Sequence, residues 1–134
     1  SAGMLTTLMA SVGAASDAIH LKKSGIFPIV HGVRTMAIEQ GLLEPSTAKR
    51  IAALGRKGIL SEELTRDLTS ALTYLMEMRL RTQLKAMKTG RSEEEAIVRL
   101  SELSTRDRDL LRDTLKVVKR FREIVRNRYH LNMF

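Results

Sequence analysis

Residues 61–90, SEELTRDLTSALTYLMEMRLRTQLKAMKTG, have the pattern of one long amphipathic helix. Ser61 suits the N-cap, because its side-chain oxygen can accept a hydrogen bond from a backbone N–H of the first turn, and Gly90 suits the end. At 100° per residue, a single apolar stripe contains Leu64, Leu68, Ala71, Leu72, Leu75 and Met78. Further along, the apolar side drifts to Met76, Leu80, Leu84 and Met87. The stripe predicts a helix that buries one face.

Three polar residues, Arg79, Thr82 and Gln83, fall on the continuation of that stripe. Arg79 and Gln83 lie one turn apart, and the spacing predicts that both point at the core or into a cleft. A buried guanidinium needs partners, since leaving it unpaired costs on the order of several kcal/mol.

A second long helix is predicted after Ser104, which suits its N-cap, and runs to about Arg128. Its predicted core face consists of Leu110, Leu111, Leu115, Val118, Phe121 and Val125. Arg122 lies at the edge of this apolar arc. The opposite face carries Lys116, Lys119, Arg120 and Arg126, a pattern typical of solvated surface.

Shorter helices are predicted in the rest of the chain, and no stretch has the alternation of a strand. We expect one weakly amphipathic helix over about 5–19, one from Pro28 to a C-cap at Gly41, and one from Pro45 and Ser46 to about residues 55–58. Ser92 and Glu95 form a capping box that predicts another helix start. The fold class is therefore all-α: a helical bundle of about five to six helices with two long antiparallel helices as its spine.

Length and composition are those of one soluble domain. The chain has 134 residues, a net charge of +8, no cysteine and 4% aromatic residues. Residues 1–3 precede Met4 and are interpreted as a cloning remnant, which leaves 4–134 as a single helical domain. No apolar run approaches the ~20 residues that span a bilayer, so we expect a cytoplasmic protein without membrane contact. The positive charge favours nucleic acid, acidic proteins or phosphorylated ligands as partners.

The segment HLKKSGIFPIVHGVR, residues 20–34, contains the candidate binding residues. A loop through Lys23 to Gly25 is expected to end at a helix that starts at Pro28, and the free N–H groups around Ile29 and Val30 are expected to attract an anion. Two of the candidates are Lys22 and Lys23, which precede this helix. The other two, His31 and Arg34, lie on its more polar side. The alternative is that the lysines are solvated and Arg34 pairs with a neighbouring carboxylate. Gly32 inside the helix predicts close approach of another element.

No catalytic or metal centre is evident in the sequence. Asp107 and Asp109 have the Asp-x-Asp spacing by which nucleotidyltransferases hold magnesium, yet they occupy the first turn of a helix, where carboxylates stabilise the helix dipole. His20, His31 and His130 are scattered along the chain and do not suggest a metal cluster. We therefore expect no cofactor in this chain.

Three stretches resemble one known family. The segment DAIHLKKSGIFPIVHGVRTMAIEQGL (17–42) is similar to the signature of the nucleotidyltransferase substrate-binding domain, the C-terminal helical domain of bacterial proteins related to protein-PII uridylyltransferase. The segments LTYLMEMRLRTQL (72–84) and LSTRDRDLLRDTLKVVKRFREIV (103–125) resemble its later elements, the first through Arg79, Leu80 and Gln83. The chain departs from the signature at His20, where an aspartate is expected.

The resemblance implies the C-terminal part of a larger signal-transduction protein. Upstream would lie a nucleotidyltransferase catalytic domain that uses Mg and a nucleoside triphosphate, often with tandem CBS domains and a cyclic-nucleotide-binding-like domain. This chain would be non-catalytic and would help to bind the acceptor substrate or the nucleotide. The candidates for that contact are Lys22, Lys23, His31, Arg34, Arg79 and Gln83.

Two other functions remain open from the sequence. The first is a dimerisation or domain-docking module without a ligand, which includes a homodimer. The second is a basic helical nucleic-acid-binding domain that uses the last helix, whose binding would fall steeply with salt.

Overall fold

Two long antiparallel helices form the centre of the protein, for which a computed structural model describes residues 17–90 and 96–130. In chain order the elements are β1 (Ala18–His20), a π-helical turn (Lys22–Ile26), α1 (Phe27–Glu39), α2 (Thr47–Arg56), α3 (Glu62–Lys88), β2 (Ile97–Arg99), a 3₁₀ turn (Leu100–Glu102) and α4 (Thr105–Tyr129). Ion pairs fix the antiparallel order of α3 and α4, because Arg120, late in α4, pairs with Asp67, early in α3, and Asp107, early in α4, pairs with Arg81, late in α3. The all-α bundle is confirmed, with four α-helices in the described residues rather than five to six.

Serine caps begin both long helices, as predicted. The Ser61 hydroxyl accepts a hydrogen bond from the Leu64 N–H at 3.1 Å, and the Ser104 hydroxyl accepts one from the Asp107 N–H at 3.1 Å. Each satisfies one of the donors that a helix start leaves unpaired. The helix from Ser46 is also confirmed, since the Ser46 hydroxyl accepts from the Lys49 N–H at 3.2 Å.

The core lies mostly where the periodicity of the two long helices predicts it, although Leu72 is only half-buried and the continuation of the stripe through Met76, Leu80, Leu84 and Met87 is exposed. Leu110 is 38% exposed, so its assignment to the core is wrong. Thr114 is buried in its place, because the face of α4 that meets α3 is centred beyond Leu111 and leaves Leu110 at its edge. The buried residues of the two helices are Leu64, Leu68, Ala71, Leu75 and Met78 in α3, and Leu111, Thr114, Leu115, Val118, Phe121 and Val125 in α4.

A two-stranded antiparallel sheet corrects the prediction that the chain has no strands. β1 and β2 pair with Ile19 opposite Val98, and both of these side chains are buried. The predicted helix over 5–19 is wrong at its end, since residues 18–20 are a strand; residues 1–16 and the Ser92–Glu95 capping box lie outside the described residues. The helix expected after that capping box is wrong at residues 97–99. Strand pairing wins there because Ile97 and Val98 are β-branched and the ladder satisfies backbone groups of both segments.

The helical segment that contains α1 begins earlier than predicted. The expected loop at residues 23–25 is instead the π-helical turn, in which the Phe27 N–H donates to the Lys22 carbonyl. Gly25 makes this turn possible, because a Cβ at that position would lie 2.8 Å from a methyl carbon of Leu75 in α3. The α-helix itself starts at Phe27, within one residue of the predicted start at Pro28. Because the π-helical turn runs into it without a break, this start is not a free helix end, and Ile29, whose N–H is expected to attract an anion, is fully buried.

Candidate anion-binding site

A cavity of about 440 Å³ lies between α1 and α4, and we call it the α1–α4 cavity. Helix α1 and the turn before it supply one wall, and the last third of α4 supplies the other. The lining residues are Lys23, Phe27, Pro28, His31, Gly32 and Thr35 from the first wall, and Arg122, Val125 and Arg126 from the second.

Gly32 sets the distance between the two walls. A Cβ at this position would lie 2.6 Å from a ring carbon of Phe121 and 3.1 Å from a methyl carbon of Val125. The predicted close approach of another element at Gly32 is thereby confirmed, and that element is α4. Because the helices touch at Gly32, the side chains that flank the contact form the rim of a groove.

The charge of the α1–α4 cavity is entirely positive. Lys23, Arg122 and Arg126 are exposed, no aspartate or glutamate lines the cavity, and none of the three cations has an ion pair within the described residues. Arg122 and Arg126 lie one helical turn apart, about 6 Å along the axis of α4. Cations that keep their charge without a protein partner remain available to an anion from solution.

A second cavity shows the contrast. It measures about 540 Å³ and lies between the end of α3 and β2, with Arg81, Lys85 and Arg99 among its lining residues. Each of these cations is already paired with a carboxylate: Arg81 with Asp107 at 3.0 Å, Lys85 with Glu102 at 3.1 Å, and Arg99 with Asp17 at 3.6 Å. An anion there would have to displace an internal carboxylate, so the α1–α4 cavity is the better anion site.

Two stacked rings lie at the edge of the α1–α4 cavity. The Phe27 and His31 rings are one turn apart on α1, with their centroids 5.6 Å apart and their planes at 16°. Phe27 is 43% exposed, which is unusual for a side chain of this size. The Thr35 hydroxyl donates to the His31 carbonyl at 2.9 Å, so its proton is used within the helix.

Comparison with known protein families identifies the chain. A family model described as "Putative nucleotidyltransferase substrate binding domain" matches residues 2–129. The chain belongs to this family. Neither the curated proteins nor the solved structures give a significant match.

Of the six binding candidates in this nucleotidyltransferase substrate-binding domain, Lys23 and His31 line the α1–α4 cavity. The remaining four lie elsewhere. Lys22 is half-buried in the π-helical turn, and Arg34 is exposed on α1. Arg79 and Gln83 are half-buried on α3, and the buried Nε of Arg79 has no hydrogen-bond partner among the described residues.

Sequence reasoning did not include Arg122 and Arg126 among the binding candidates. The sequence places Arg126 on the solvated basic face of α4 and Arg122 at the edge of the apolar arc. The edge position of Arg122 could have indicated a residue that lines a cavity, because a cation at the edge of a buried face lies close to the element that packs on that face. On the rest of the basic face, Arg120 is engaged by Asp67 at 2.8 Å and Glu63 at 3.4 Å.

The Asp-x-Asp pair has a structural role. Asp107 lies in the first turn of α4, where it pairs with Arg81 and accepts a hydrogen bond from the Tyr74 hydroxyl at 2.9 Å. The hydrogen bond from Arg81 holds the pKa of Asp107 below its usual value against a smaller opposing effect of burial, and the bond from Tyr74 lowers the pKa further. Burial and the bond to Asp107 raise the pKa of Tyr74. Asp109 lies 3.6 Å from Arg112.

Two further kinds of site are absent from the described residues. No group of three or more histidine, aspartate or glutamate side chains there is arranged to hold a metal ion. No helix in that part of the chain combines the length and the hydropathy needed to cross a membrane.

Proposed function

We propose that this domain holds an anionic, phosphate-bearing substrate in the α1–α4 cavity for a nucleotidyltransferase catalytic domain of the same protein. The observation that carries the proposal is the cluster of three cations, Lys23, Arg122 and Arg126, around a cavity without a lining carboxylate. Family membership supports the accessory, substrate-binding role.

The two arginines suit phosphate by their geometry. A guanidinium presents a planar fork of N–H donors that matches two oxygens of a phosphate, and such charge-assisted bonds are stronger than neutral ones. Arg122 and Arg126 can each take a different phosphate oxygen or a different phosphate group. Lys23 on the opposite wall adds a point charge.

The wider setting of the domain follows from the family resemblance. The magnesium that the resemblance implies would be held by the upstream catalytic domain, since a cavity lined by three cations repels a divalent cation. CBS and cyclic-nucleotide-binding-like domains would regulate that step in a bacterial signalling protein of the cytoplasm, with an activity like that of protein-PII uridylyltransferase.

Calorimetric titration of the 134-residue chain with inorganic pyrophosphate tests the binding role. We expect Arg122→Glu and Arg126→Glu each to weaken binding by at least tenfold, because each substitution replaces an attractive charge with a repulsive one. Lys116→Glu is the matched control, since it makes the same charge change on the exposed face of α4 away from the cavity.

Two results would reject the binding role. One is the absence of pyrophosphate binding at millimolar concentration and low salt. The other is an equal loss of affinity in all three variants, since that would reduce the interaction to the net charge of +8.

A second candidate function, docking or dimerisation, is favoured by an exposed apolar stripe on α3. Four side chains of this stripe are between 44% and 62% exposed: Met76, Leu80, Leu84 and Met87. Contiguous apolar surface of this kind is typical of interaction sites. Size-exclusion chromatography with light scattering decides whether the stripe forms a homodimer interface. A wild-type dimer that Leu80→Asp converts to a monomer would support the homodimer. A wild-type protein that is monomeric at about 100 µM would exclude a stable homodimer.

A further inference from the structure

We infer that the ligand of the α1–α4 cavity is a nucleotide, whose base stacks on the Phe27–His31 pair while its phosphates contact Arg122, Arg126 and Lys23. The inference rests on the proposed function, because it names the class of the anion that the cavity takes. It adds a requirement that a simple phosphate or an acidic peptide does not have, which is a flat ring.

The aromatic pair is the first support. An aromatic ring left 43% exposed forgoes much of the stabilisation that its burial would give. The Phe27 and His31 rings stack on one another with their planes at 16°, so a base that joins the stack would lie on an outer face of the pair, which we call the platform. Bases stack on such platforms whatever their identity, because every base has a π-face.

The position of the cations is the second support. Lys23 lies one turn before Phe27, and the two arginines lie across the groove on α4, so positive charge flanks the platform on two sides. A nucleotide has the same layout, with a planar ring joined through a ribose to a chain of negative groups. The volume of about 440 Å³ lies within the range of about 300–1,000 Å³ that small-molecule sites occupy.

The alternatives make less use of the site. Inorganic phosphate or an acidic peptide would contact Arg122 and Arg126 without stacking on the Phe27–His31 pair. The rings and the cations belong to one cavity, and a nucleotide is the ligand class that engages both.

Competition between nucleotides and a polyphosphate that lacks a base tests the inference. Affinities of ATP, GTP, CTP and UTP are compared with that of inorganic tripolyphosphate, in EDTA, for the wild-type chain, Phe27→Leu and Arg122→Glu. Tripolyphosphate carries at least as much charge as a nucleoside triphosphate, so charge alone gives it equal or tighter binding. Stacking on an aromatic ring strengthens binding by about 5- to 150-fold.

We expect at least one nucleoside triphosphate to bind at least fivefold more tightly than tripolyphosphate. Phe27→Leu removes that advantage and leaves the tripolyphosphate affinity unchanged, whereas Arg122→Glu weakens both ligands. Because Phe27 is outside the core, the variant keeps its fold, which circular dichroism verifies.

Each other outcome is decisive. If all four nucleotides bind no better than tripolyphosphate while Arg122→Glu still weakens tripolyphosphate, the nucleotide is wrong and the anion site stands. If Phe27→Leu weakens nucleotide and tripolyphosphate equally, the ring is structural and the inference is overturned. If nothing binds, the proposed function fails as well.

Discussion

Gly32 is the residue on which the geometry of the candidate site depends most directly. It lies inside α1, where glycine costs about 1 kcal/mol relative to alanine. The absence of a side chain at Gly32 lets α1 pack directly against Phe121 and Val125 of α4, and a Cβ would prevent this contact. The two helices can approach closely enough to form the groove and its cationic rim because residue 32 of α1 has no side chain.

The substitution Gly32→Ala tests this dependence. We expect a net loss of about 1 kcal/mol in the free energy of unfolding, because overlap with the buried ring of Phe121 costs more than the gain in helix propensity. Urea unfolding followed by circular dichroism measures it. In a Phe121→Leu background, where the ring is absent, the same substitution becomes neutral or stabilising. Stabilisation by the full propensity gain in the wild-type background would show that the contact at Gly32 is loose.

Some residues of the candidate site could be predicted from the sequence and others could not. Lys23 and His31 could be predicted because both lie within one local segment next to a proline and a helical glycine. Arg122 and Arg126 lie about ninety residues further along. They face the cavity because α1 crosses α4 at Gly32, a relation that periodicity within either helix does not contain.

At the scale of elements, the contact between α3 and α4 is held by polar groups as well as by the core. Asp107 at the start of α4 receives hydrogen bonds from Arg81 and Tyr74 of α3, with its side chain 21% exposed. These bonds favour the ionised carboxylate and lower the pKa of Asp107 in the folded protein. The stabilisation is therefore fully present above the unfolded pKa of about 3.9 and is lost as the pH falls through the lower, folded pKa.

Asp107→Asn is predicted to reduce the acid sensitivity of the fold. At pH 7 we expect the variant to lose about 1 kcal/mol in the free energy of unfolding, since the partly exposed charged bonds become neutral ones. The difference from wild type shrinks as the pH approaches 2. Urea unfolding at a series of pH values measures this, with the exposed Asp113→Asn as the matched control. A difference that is constant from pH 7 to pH 2 would contradict the role given to Asp107.

The elements differ in how well local sequence specifies them. Helices α3 and α4 are predictable because each has a serine cap and a sustained apolar stripe. The paired strands are not, since each has three residues and their partners lie about eighty positions apart. The π-helical turn is also not predictable from local sequence, because it depends on the close approach of Gly25 to Leu75 of α3.

At the scale of the whole molecule, the distribution of paired and unpaired charge locates the site. A net charge of +8 does not by itself select a ligand. Several cations are engaged by carboxylates, including Arg81, Lys85, Arg99, Arg120 and Arg128. The cations that remain without such partners in the described structure include the three around the α1–α4 cavity, and this selection appears only once the helices are packed.

An ¹⁵N–¹H NMR titration of the 134-residue chain with inorganic pyrophosphate tests the location of that site most directly. The account predicts that the largest shifts occur at residues 22–35 and 121–127, and that Arg126→Glu abolishes them while Lys116→Glu leaves them in place. Shifts centred instead on Arg81, Lys85 and Arg99, or spread evenly over the basic surface, would contradict it.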